Sequence, residues 1–151
     1  MVNVMMILSF EKHRVRIMFE ITRVESQIIE IRHSGAFRIE QAKEYQHLMT
    51  AMLSQGSGLL YVLGNFKNTT SFEKPVLREL GLFSFLMDQR LGMLVLIGDD
   101  PLTKFVLSIT ELQARQDNRN LRLRVHHDYN QALDLLRTAL VTDNLANPIA
   151  S

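Results

Sequence analysis

Four side chains behind two short apolar runs have the types that hold metals or move protons. Asp99 and Asp100 follow the run 92–98, and His126 and His127 follow the alternating run 121–125. Two carboxylates beside two imidazoles could ligate a divalent cation or work as an acid–base pair. Each residue also has a plainer use. Asp100 precedes Pro101, which pairs an N-cap with proline at the first helical position. Of two adjacent histidines in a strand, one must face away from the other. We therefore expect no enzyme, with no catalytic residue, metal or cofactor, and keep these four as a weak strand-end site.

Hydroxyls form the second group. Thr69, Thr70 and Ser71 follow the apolar run 59–64 and precede a segment with helical character from Pro75. At a helix start they could receive a phosphoryl group or hold an anion on free backbone N–H groups, and ordinary N-capping uses the same residue types. The glycines fit no phosphate-cradling fingerprint, because Gly56, Gly58 and Gly64 precede or end a strand.

The third group is apolar. In a helix over residues 75–90, Val76, Leu80, Phe83 and Met87 make one stripe. Leu82, Phe85 and Leu86 fall near the opposite side, among Arg78, Glu79, Gln89 and Arg90. Two readings stand. The three residues form an interaction surface, or Gly81 breaks the helix, resets its phase and buries them all.

Behind these groups lies a regular order of elements. Val15, Ile17, Phe19 and Ile21 alternate with polar residues, and after a break at Glu25 and Ser26 the alternation resumes at Ile29 and Ile31. That predicts an antiparallel hairpin. Ile39, Ala42, Tyr45, Met49, Met52 and Leu53 predict a helix ending at Gly56. The runs 59–64 and 92–98 are apolar on both faces, the habit of interior parallel strands. Residues 65–71 read as a polar loop. Leu102, Phe105, Val106, Ile109 and Leu112 predict a further helix. Leu121, Leu123 and Val125 predict an edge strand, and Asp128 with Gln131 a capping pair for a last helix through Leu140. The order is ββαβαβαβα. It predicts a single α/β domain over 1–140, a five-stranded mixed sheet with an N-terminal antiparallel hairpin and three parallel strands, and a loosely ordered tail over 141–151.

Composition narrows the function classes. The chain has 151 residues, 17 Lys plus Arg against 16 Asp plus Glu, and no cysteine. The charge balance argues against nucleic acid and anionic membrane surfaces as partners. The missing cysteines remove disulfides, thiolate nucleophiles and Cys-ligated zinc. The apolar start lacks a basic n-region and a small-residue cleavage site, and no run approaches the ~20 apolar residues of a membrane span. We expect a cytoplasmic protein.

The element order resembles the STAS domain, named for sulfate transporters and anti-sigma-factor antagonists. The strings Ile31-Arg-His-Ser-Gly35, Val95-Leu-Ile-Gly-Asp-Asp100 and Arg124-Val-His-His-Asp-Tyr-Asn-Gln-Ala-Leu133 fit a broader group of small bacterial STAS/CRAL-TRIO-like proteins. The resemblance implies a sheet in sequential strand order and a non-enzymatic switch or binding module. In anti-sigma-factor antagonists a serine just after an aspartate, at the helix start following the middle strand, is phosphorylated by a partner kinase. Residues 65–71 carry hydroxyls at that place, with no aspartate before them. We expect a module acting through protein contact, self-associating as a homodimer through the second helix. The alternative is a carrier or sensor of a small apolar or lipid-like ligand held beneath that helix.

Overall fold

Period-two alternation in the first third of the chain becomes an antiparallel meander. The computed structural model describes residues 4–11, 14–56, 58–73, 84–86, 88–98 and 122–146, with backbone alone for 4–18 and 72. β1 (Val4–Glu11), β2 (Arg14–Glu25) and β3 (Ile28–Phe37) pair in turn, with Ser26 and Gln27 forming the β2–β3 turn. α1 (Ile39–Gln55), β4 (Leu60–Phe72), β5 (Leu91–Ile97), β6 (Leu123–His126) and α2 (Tyr129–Ala146) follow. The sheet has six strands in sequential order. β3, β4, β5 and β6 are mutually parallel.

The α/β architecture is the one the sequence predicts, with two extensions. β1 adds a sixth strand where five were expected. The second hairpin strand is itself parallel to β4, so four strands run parallel, not three. The helix predicted over 102–112, and residues 74–83 of the second helix, lie outside the described residues. At the far end of that second helix the chain is not helical. Residues 84–86 form one short 3₁₀ turn, and Asp88 bends the chain back by accepting from the backbone N–H and guanidinium of Arg90. α2 continues to Ala146, inside the stretch expected to be a loose tail.

Alternation along the interior strands fills two cores. Phe19, Ile29, Ile31, Val62, Leu94 and Leu96 face α1, which buries Tyr45, Met49, Met52 and Leu53 against them. Ile28, Tyr61, Leu63, Met93, Val95 and Ile97 face α2, which buries Ala132, Leu133 and Leu136. All seven residues of β5 are buried. At Gly92 the Tyr61 ring lies so close that an added Cβ would come within 2.6 Å of it, so glycine is required there. Asp128 caps α2 as expected: its Oδ1 accepts from the N–H groups of Asn130 at 2.7 Å and Gln131 at 3.2 Å. No helix among the described residues is long and apolar enough to cross a membrane.

Candidate functional site

β3 and β4 outrun their neighbours. β2 pairs with β3 only as far as Phe19 opposite His33, and β5 pairs with β4 only as far as Ile97 opposite Asn65. Beyond that point β3 and β4 continue together, Ser34 opposite Asn68 and Phe37 opposite Phe72, as a two-stranded extension at the carboxyl end of the sheet. Two register shifts interrupt this stretch, and Gly35 takes a left-handed φ of 88° between them, a conformation that favours glycine. The extension is tied to the start of α1. Glu73 donates its N–H to the Phe37 carbonyl at 2.9 Å, and its carboxylate accepts from the Ile39 N–H at 3.0 Å.

Thr69, Thr70 and Ser71 therefore sit in a strand, not in a loop. Local sequence hides this, because 65–71 is polar and its strand geometry comes from pairing with β3. The three hydroxyls also differ. Thr70 and Ser71 are exposed. Thr69 is half-buried, and its Oγ1 shares a 2.7 Å hydrogen bond with Nδ1 of His33.

His33 has no exposed surface. It is in phase with Ile29 and Ile31 on the α1 face, where the phenyl rings of Phe37, Phe19 and Phe66 stand 4.9, 5.1 and 6.0 Å from its ring, centre to centre. Tyr45 from α1 packs on the same three phenylalanines at 5.6 to 6.4 Å. The five rings form an aromatic box. Burial lowers the His33 pKa from 6.5 to about 4, so the ring is neutral at pH 7. Burial likewise pushes the Tyr45 phenol above its ordinary range. Within the described residues neither His33 Nε2 nor the Tyr45 hydroxyl has a hydrogen-bond partner.

The opposite face of the same strand carries another polar group. Glu30 is 3% exposed. Its Oε1 accepts from the Tyr129 hydroxyl at 3.1 Å, and its Oε2 from Asn65 Nδ2 at 3.1 Å and Arg32 Nη2 at 3.3 Å. Three donors on β3, β4 and α2 thus converge on one carboxylate. Near the far end of α2, Asp143 accepts from the Tyr61 hydroxyl and, at 2.6 Å, from Arg122.

Asp99 and Asp100 lie outside the described residues. His126 pairs with Ile97 at the end of β6 and is partly exposed, and His127 is exposed. Among the described residues no three His, Asp or Glu side chains gather as metal ligands do. Leu82 lies outside the described residues. Phe85 and Leu86, expected on an interaction surface, are 3% and 7% exposed and belong to the α1-side core. The reason is the 3₁₀ turn. It aims Phe85 at Tyr45, with ring centres 5.4 Å apart, and is held by Gln46, which donates to Ser84 Oγ at 2.8 Å and accepts from the Phe85 N–H at 3.3 Å. His33, Glu30 and Tyr45 were not foreseen as a site. Glu30 between Ile29 and Ile31, and His33 in phase with that pair, were the signals.

No family model and no curated protein matches the sequence. Solved structures do match the fold. The chain is similar to the unphosphorylated anti-sigma factor antagonist SpoIIAA, with TM-score 0.55 and 15% identity over 79% of this chain and 97% of that one. It is similar to the phosphorylated form of the Bacillus cell fate determinant SpoIIAA, with TM-score 0.53 and 16% identity over 78% and 98%. A protein of the DUF3478 family from Shewanella loihica PV-4, described as SpoIIAA-like in fold, gives 0.52 and 9% over 90% and 95%. The chain has the SpoIIAA-like fold.

Proposed function

We propose that this protein is a non-enzymatic, cytoplasmic regulatory module that works by protein contact at the carboxyl end of β3 and β4, with phosphorylation of Thr69, Thr70 or Ser71 as its control. One observation carries the reading. β4 runs on beyond β5 and displays Thr70 and Ser71 in solvent, with Thr69 beside them tied to the core. A phosphate there adds close to two negative charges and three strong acceptors to a projecting strand end, enough to create or abolish a protein contact. SpoIIAA, a protein of the same fold, exists in phosphorylated and unphosphorylated forms. Self-association through Leu82, Phe85 and Leu86 has no place in this reading, because Phe85 and Leu86 are core. The test is incubation of the pure protein with ATP and bacterial cell extract, followed by phosphosite mapping. Phosphate on one of the three hydroxyls supports the reading, and phosphate confined to other residues contradicts it.

A second reading, a carrier of a small apolar ligand, draws on the aromatic box. A ligand with one polar atom would satisfy His33 Nε2 or the Tyr45 hydroxyl, neither of which has a partner among the described residues. Native mass spectrometry of the purified protein tests it. An adduct of constant small mass supports a carrier, and a bare chain mass contradicts one.

A further inference from the structure

We propose that the His33–Thr69 hydrogen bond is a latch that holds the projecting end of β4 against the core, and that phosphorylation of Thr69 itself opens it. This rests on the acceptor reading above and deepens it by separating three neighbouring hydroxyls into one that is coupled to the interior and two that are not. Thr70 and Ser71 are exposed and make no side-chain link to the box. Thr69 reaches inward, and its Oγ1 meets the one nitrogen of His33 that has a partner among the described residues.

The chemistry of opening follows from the surroundings. Transfer of the terminal phosphoryl group of a nucleoside triphosphate forms a bond from Thr69 Oγ1 to phosphorus and breaks the bond to the diphosphate leaving group. It releases the hydroxyl proton. The bulky dianion then stands where a neutral hydroxyl touched a neutral imidazole. A dianion at hydrogen-bond distance favours the protonated ring, which takes its proton from solvent and donates Nδ1–H to phosphate. Nothing in the box welcomes that pair. β2 contributes Phe19, β3 Phe37, β4 Phe66 and α1 Tyr45, whose phenol burial keeps neutral. Burial lowers the His33 pKa in the present state. On the same strands Glu20 and Arg32 alternate to the opposite face, and Lys67 is exposed. An ion pair among four apolar or neutral rings has a large desolvation cost, and the lowest-energy outcome carries the phosphate out to water. The end of β4 is drawn outward with it, against its remaining ties, the ladder to β3 and the Glu73 bonds to Phe37 and Ile39.

The experiment compares four versions of the full chain: wild type, Thr69→Val, protein carrying phosphothreonine installed at 69, and protein carrying it at 70. Amide hydrogen exchange reads residues 68–72, and imidazole ¹⁵N shifts read His33. The valine variant, which needs no phosphate, should exchange about fivefold faster at 68–72, the factor that the loss of one neutral hydrogen bond gives. Phosphate at 69 should do the same and raise the His33 titration, because opening the end of β4 lets water reach the ring. Phosphate at 70 should do neither. Protection at 68–72 equal to wild type in the valine variant overturns the latch and leaves the acceptor reading standing. Phosphate mapped only to Thr70 or Ser71 also overturns the latch while upholding that reading. Phosphate mapped outside all three overturns both.

Discussion

β3 presents a polar side chain to each core, and the two are treated in opposite ways. On the α2 face Glu30 engages both oxygens with donors from three elements. On the α1 face His33 is wholly buried, with one nitrogen bonded and the other without a partner among the described residues. A buried carboxylate with converging donors fixes a geometry, because removing any member leaves another uncompensated. A buried imidazole with one bond is held more weakly and can change state by gaining a proton. The α2 side is expected to hold like a rivet, and the α1 side to open first.

Breaking the α1 box from outside should have the largest effect. Phe85→Ala empties the seat against Tyr45, and a buried phenylalanine truncated to alanine costs about 3–4 kcal/mol. Urea denaturation followed by circular dichroism should show that loss with an unchanged slope. A change within experimental error would restore Phe85 to a surface role.

Breaking the rivet should cost slightly less. Glu30→Ala leaves Asn65 and Tyr129 without their acceptor and the half-exposed Arg32 without its partner, a loss of about 3 kcal/mol. Glu30→Gln keeps the size and an acceptor oxygen and should recover part of it. The same denaturation measurement ranks the two.

Acid sharpens the comparison. The folded His33 pKa of about 4 lies below the ordinary 6.5, so the unfolded chain binds the proton more readily. The stability from its neutral form is whole above pH 6.5 and drains away as pH falls from 6.5 towards 4. The full difference is up to about 3 kcal/mol at 1.36 kcal/mol per pH unit. Denaturation at pH 7 and pH 4.5 should show a smaller acid loss in His33→Leu than in wild type. Equal losses in both would place the titration elsewhere.

The smallest effects separate the hydroxyls. Thr69→Val should cost about 1 kcal/mol for one neutral hydrogen bond, and Thr70→Val should fall within about 0.5 kcal/mol of wild type. Melting temperatures of the pair read the difference.

Sequence alone reached the frame more readily than the site. β5 is legible because an apolar run bounded by glycines can satisfy two cores at once, and all of it is buried. Asp128 is legible because capping is local, written within three residues. β1 escaped notice because its apolar run carries no period-two contrast. The second half of β4 escaped because Asn65 to Ser71 look like a loop until β3 is laid beside them. Phe85 stays open between surface and core in the sequence, because a continuous helix exposes it and a broken one buries it; the 3₁₀ turn at 84–86 places it in the core. The site is least legible because its parts are far apart in the chain. His33 and Thr69 are separated by 36 residues, and Glu30 and Tyr129 by 99.

Native-state amide exchange across β3 and β4 tests the contrast between rivet and box most directly. Amides of residues 61–65, backed by the Glu30 cluster and β5, should exchange only through global unfolding. Those of residues 68–72 should exchange through local opening, at free energies at least about 2 kcal/mol lower. If both stretches open at the same free energy, the carboxyl end of β4 is as fixed as the rest of the sheet, and the claim that this end is the movable one is wrong.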